Sequence, residues 1–198
     1  MFLRSSYLFF LLYFGSSLTA ESTIFSVEAT RDVILSNAET YPVPPRNERS
    51  LFYIQRSKNT NAIVYELNLR ADGRINEEEP VHVFWLRYSS DSTKAELNYI
   101  QKNYAYGIES RTMPGKPGQF VLNLVSYDKK KIFLIPGSGS NAYQAFTLIN
   151  GRMALLDRIF IRLNGGTFWF PVIEEVEIKG RDPQTREVLV EYFKPESR

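Results

Sequence analysis

The sequence predicts an all-β domain with one main helix. Three observations carry this. Short apolar runs with period-two alternation recur from Ser50 onward. Nearly every gap between them holds Gly, Pro, Asn or Asp, the residues that tight turns need. Only one segment has the capping and spacing of a helix. Roughly eight or nine consecutive strands with short turns read as an antiparallel meander, and a sheet that long curls, closes or folds into two layers. A calycin-like barrel or a strongly bent sandwich is the expected architecture.

Residues 1–20 read as a signal peptide. Arg4 gives a positive start, Tyr7 to Phe14 is a charge-free apolar run, and Gly15 to Ala20 ends it with small residues, with cleavage expected after Ala20. The run is shorter than the roughly 20 apolar residues that a bilayer span needs. Leu18 is bulky for its place before the cut, so an uncleaved anchor is the alternative. The expectation is export to the periplasm or the extracellular space, with no transmembrane span in the mature chain. Residues 21–49 read as a leader: Thr23 to Val27 has the alternation of a short strand, and Val33 to Leu35 suits a short helix. Tyr41 to Arg49 holds Pro42, Pro44 and Pro45, which remove backbone donors and force extended geometry, so it is a connector.

A single β domain is expected over 50–195. Leu51 to Ile54 opens it. Ile63, Tyr65, Leu67 and Leu69 share one face, and Glu66, Asn68 and Arg70 the other. Asp72-Gly73 is a turn. Val81 to Tyr88 is apolar almost throughout, as a strand covered on both faces would be. Thr93 can cap a helix near 94–104, with Glu96 at the capping-box position and Leu97, Ile100 and Tyr104 on the buried stripe. Phe120, Leu122 and Leu124 alternate with Val121, Asn123 and Val125. Ile132 to Ile135, Ala142 to Ile149, Leu155 to Leu163, Phe168 to Ile178 and Val188 to Phe193 complete the strands.

The segment from Phe52 to Asn68 resembles the opening of the bacterial family known as domain of unknown function 4833. Glu79 to Tyr88, Tyr99-Ile100-Gln101, Ala105-Tyr106-Gly107 and Gly165 to Trp169 continue the resemblance in order, over roughly 50–195. The resemblance implies a bacterial envelope protein and supplies no activity.

Composition narrows the function classes. The formal net charge is +2, and loss of Arg4 with the leader brings it to +1. Such a balance gives no footprint for nucleic acid or an anionic membrane. Lys129-Lys130-Lys131 reads as a solvated turn. The absence of cysteine excludes disulfides, thiol redox chemistry and thiolate zinc sites. His82 is the single histidine, so a Ser-His-Asp mechanism would have to use it, and nothing beside it resembles a nucleophile elbow. A lone histidine also makes a poor transition-metal site. Asp72 and Asn76 to Glu79 miss the calcium-loop spacing and read as a solvated acidic loop. Gly137 to Ser140 lacks the Lys of a phosphate loop. No metal and no cofactor is indicated.

The candidate ligand-binding residues are Arg56, Lys58, Asn59, Asn61 and Arg87. Arg56 and Lys58 suit an anion, and Asn59 and Asn61 suit hydroxyl or amide groups. A hairpin loop accounts for the same residues, since Asn tolerates left-handed backbone and bonds its own main chain. Arg87 lies in an apolar strand and needs a partner if buried, for which Glu66 is the candidate. Aromatic residues, including Trp169, Tyr104 and Tyr106, suit sugar stacking, an apolar cavity or plain core packing. The functional expectation is a non-enzymatic exported domain that binds a small or apolar molecule, or another envelope component. A hydrolase using Asp157, Glu174, Glu175 or Glu177 and a purely structural module are the alternatives. An open apolar cavity with Arg87 or Gln144 at its mouth would favour binding, an interior packed with Phe, Leu and Ile a structural module, and two carboxylates facing across a cleft a hydrolase.

Overall fold

A computed structural model describes residues 41–88, 93–137, 142–167 and 171–195. The expected signal peptide, the leader over 21–40, Ser138 to Ser140 and Phe168 to Phe170 lie outside the described residues. Strands dominate: β1 Ser50–Arg56, β2 Asn59–Leu67, β3 Val81–Arg87, β4 Thr93–Glu96, β5 Ile108–Thr112, β6 Phe120–Leu124, β7 Tyr127–Pro136, β8 Tyr143–Ile149, β9 Arg152–Gly166, β10 Pro171–Arg181 and β11 Val188–Phe193. All belong to one strongly curled half-barrel sheet.

The meander occurs twice. β1 to β4 form one antiparallel run and β5 to β9 a second. They join where β1 lies parallel to β9, from Tyr53 beside Arg158 to Arg56 beside Ile161. The chain leaves β4 at one edge of this path, passes through a helical segment and starts β5 at the other edge. It returns strand by strand until β9 meets β1. β9 is long enough to pair with β8 through its first part, β1 through its middle and β10 along most of its length.

Alternation puts one face of every strand into a shared interior. Ile63, Tyr65 and Leu67 are buried there, as their spacing predicts, with Phe120, Leu122 and Leu124 across from them. Each such side chain contributes about 1.5–3 kcal/mol by burial. Phe52 stacks on Tyr65, ring centroids 4.3 Å apart. β3 is covered on both faces, with Val81 and Trp85 inside and Phe84 and Leu86 in a second cluster with Ala62 and Val64. The connector packs on the outer face. Gln55 Nε2 donates to the Pro42 carbonyl at 2.7 Å, the Tyr41 ring meets Phe160 edge-on, and Arg46 pairs with Asp157.

Two local expectations are corrected. Thr93–Glu96 is not helical; it is an edge strand, with Ala95 opposite Trp85. Pairing with β3 outweighs the local cap, as tertiary context commonly does. Among the described residues, helical backbone is confined to 99–105 and ends in a π-helical turn, Gln101–Ala105. Its reciprocal cap is Asn98 with Gln101: each backbone N–H donates to the other's side-chain oxygen, at 3.1 and 2.9 Å. Ile100 and Tyr104 are exposed rather than striped against the core, and Tyr106 takes the inward place, edge-on to Trp85. Lys129-Lys130-Lys131 is not a turn either. The turn is Val125-Ser126, and the three lysines continue β7.

Candidate functional site

The concave face of the sheet holds a cavity of about 290 Å3. Its walls come from strands far apart in sequence. Ile54 enters from β1, Leu124 from β6, Ile132 from β7, Leu156, Ile159 and Ile161 from β9, Ile173, Val176 and Ile178 from β10, and Phe193 from β11. The β9–β10 register sets Ile159 beside Ile178 and Ile161 beside Val176, so branched side chains line the floor in pairs. Ala105 and Tyr106 bring the end of the helical segment to one side. Thr147 is the polar side chain deep in the wall, and its Oγ1 donates to the Lys131 carbonyl at 2.8 Å. The volume sits at the lower end of the roughly 300–1,000 Å3 typical of small-molecule sites.

Polar residues gather at the rim. Ser126, Asp128 and Lys129 are exposed there, and Tyr127 and Lys130 are half-buried. Beside them runs β11. The Tyr127 ring stacks on Phe193 with centroids 5.5 Å apart. Lys130 Nζ donates to both carboxylate oxygens of Glu191, at 2.6 and 2.7 Å. The Asn150 backbone N–H donates to the same carboxylate at 2.7 Å, and Asn150 Nδ2 donates to the Val190 carbonyl at 2.9 Å. Burial pushes the Glu191 carboxyl up, but these hydrogen bonds and the Lys130 charge outweigh it and hold it below the ordinary carboxylate range.

The residues singled out from sequence sit elsewhere. Arg56, Lys58, Asn59 and Asn61 form the β1–β2 hairpin, and Arg87 lies at the same end of the sheet, one step beyond the Ala62–Leu86 pair. None of the five lines the cavity. The Arg56 guanidinium lies over the Trp85 ring, 5.9 Å from its centroid. Lys58 is exposed with φ 62°. Asn59 Oδ1 accepts from the Asn61 N–H at 2.9 Å, and Asn61 Oδ1 accepts from the Tyr88 N–H at 3.0 Å. The expected Arg87–Glu66 pair is absent. Glu66 lies opposite His82, at the other end of the strands from Arg87, and strand rise of about 3.3 Å per residue keeps them apart. Glu66 instead accepts from Asn47 Nδ2 at 2.9 Å and lies 3.6 Å from Lys94 Nζ.

Of the residues weighed for catalysis, Glu174 is exposed and the others are held in local pairs. His82 Nε2 lies 3.1 Å from both oxygens of Glu96 on the outer face. Asp157 pairs with Arg46 and Arg181, Glu177 with Arg158, and Glu175 with Arg162. Among the described residues, no three His, Asp or Glu side chains form a cluster suited to a metal ion. No helix among them is long and apolar enough to cross a membrane.

Lys130 and Glu191 escaped the sequence reading. The signal was present: Glu191 is the one charge in Val188 to Phe193, the same pattern that drew attention to Arg87.

The family model for a domain of unknown function, DUF4833, matches residues 52–192, and the chain belongs to that family. No curated protein and no solved structure matches the chain.

Proposed function

We propose that this member of the DUF4833 family is a non-enzymatic binding protein that holds a small apolar molecule inside its curled sheet. The observation that carries this is the 290 Å3 cavity with branched aliphatic walls, whose polar side chains are those of the rim, Tyr106 and the satisfied Thr147. A fully packed interior would favour a structural module, and facing carboxylates a hydrolase. The volume suits a compact aromatic compound of up to about three rings or a medium-length alkyl chain rather than a larger ligand. The pattern of residues 1–20 supports a place of action outside the cytoplasm, either as a free protein or held by an uncleaved leader.

The test is titration with N-phenyl-1-naphthylamine, an uncharged aromatic probe that brightens in apolar surroundings. Saturable binding, displaced by a medium-chain alcohol and abolished by Ile161→Trp, is the expected result. Ile161 is half-buried in the wall, so the larger ring fills the space from its edge. No saturable fluorescence, with the chain folded by circular dichroism, would defeat the reading.

A further inference from the structure

We propose that the seam between β7 and β11 is the entrance to the cavity, and that the Lys130–Glu191 pair is its latch. The proposal rests on reading the cavity as a ligand site. Its first support is how the walls are joined. β1 to β9, β6 to β7, β7 to β8, β8 to β9, β9 to β10 and β10 to β11 are all stitched by backbone ladders. Parting any of them breaks several buried hydrogen bonds at once. Among the described residues β11 has one ladder partner, β10, and side chains rather than a ladder join it to β7.

Side chains close that edge. The Tyr127–Phe193 stack spans the rim, and both rings line the cavity. Behind it, Lys130 and Glu191 join at 2.6 Å, each side chain 21 % exposed. Asn150, in the turn after β8, ties the same stretch of β11. Rotating two rings and parting the ion pair and the two Asn150 hydrogen bonds opens a path beside Ser126 and Asp128, and no ladder bond need break. The cluster also lies where the wall is already wet, since Ser126, Asp128 and Lys129 are exposed. An apolar guest thus meets an entrance whose outer lip is polar and whose throat is aromatic.

A latch changes rates more than affinity, and its Glu191 half lies outside the cavity lining. Stopped-flow binding and release of N-phenyl-1-naphthylamine tests this on the whole chain. Glu191→Gln, at a residue outside the cavity lining, is expected to speed both uptake and release by about fivefold or more with the dissociation constant nearly unchanged, and Lys130→Met, whose side chain reaches the rim, is expected to speed both as well. A purely structural pair would lower the melting temperature and leave the rates alone. Normal probe binding with unchanged rates in both single variants overturns the latch and leaves the cavity site standing. Failure of the unaltered protein to bind the probe overturns both. If either single variant fails to fold, Tyr127→Leu takes its place; it removes the stack, and unchanged exchange rates there also overturn the proposal.

Discussion

The phenol of Tyr65, wholly buried in β2, donates a hydrogen bond to the Tyr106 carbonyl at 2.8 Å. This one contact joins the first meander to the chain entering the second. It fixes the exit of the helical segment against Trp85 and sets one side of the cavity, where Tyr106 stands. Tyr65→Phe keeps the ring and its stack on Phe52 but orphans the carbonyl. The expected cost is about 1–3 kcal/mol, measured by urea unfolding. A loss below the error of the measurement would mean that the carbonyl finds another donor.

The same residue gives a pH prediction. Burial, with the Tyr106 phenol close by, holds the Tyr65 phenol well above the ordinary 10.0. The unfolded chain therefore releases this proton first as pH rises. The contribution to stability is complete below pH 10.0 and is lost progressively above it. The alkaline fall in stability is expected to be shallower in Tyr65→Phe than in the unaltered protein, read from melting temperatures across that range.

Gly107 has no room for a side chain. A Cβ there would stand 1.8 Å from the Lys102 carbonyl oxygen, which is backbone and cannot turn aside. Gly107→Ala is expected to destabilise by about 3 kcal/mol, at the upper end for overpacking. Loss of the contact between Tyr106 and Trp85 should accompany it, visible as a change in tryptophan fluorescence.

Asp182 governs the β10–β11 turn. Its Oδ1 accepts from the Gln184 and Thr185 N–H groups, at 2.9 and 3.0 Å, and Oδ2 accepts from Arg152. The two backbone bonds, then Arg152, hold its carboxyl down to about 2. A depressed carboxyl stabilises the fold above its unfolded value, 3.8, and that contribution drains away as pH falls toward 2. Over that window the unaltered protein should lose stability faster than Asp182→Asn. Parallel curves would show that the turn does not feel the charge.

The sheet was legible in the sequence because alternation is a local signal. Ile63, Tyr65 and Leu67, and likewise Phe120, Leu122 and Leu124, declare their buried face within a few residues. The pairing of β1 with β9 was not legible, since it joins residues about a hundred positions apart. β4 was hidden for the same reason: Thr93 to Glu96 carry a good local cap, and only the open edge of β3 makes them a strand. The site was harder still. A cavity is what remains when seven strands from along the chain curl together, and no run of residues encodes it. Polar density pointed instead to the hairpin, where Asn59 and Asn61 spend their side-chain oxygens on main-chain donors.

That hairpin supplies the last prediction. Lys58 adopts φ 62°, a conformation that favours glycine. Lys58→Gly is expected to hold or raise stability, by up to about 1 kcal/mol. Asn61 bonds the Tyr88 N–H and so pins the end of β3; Asn61→Ala is expected to cost about 1–2 kcal/mol. Asn59 caps only its own turn, so Asn59→Ala is expected to cost less. Because none of these residues lines the cavity, the affinity for N-phenyl-1-naphthylamine should stay constant in every variant that remains folded. A hairpin that instead formed a ligand-binding rim would behave in the opposite way. Lys58→Ala would then weaken probe binding while the melting temperature held steady. The two readings part on that pair of measurements, because a turn residue acts on stability alone and a rim residue on affinity alone.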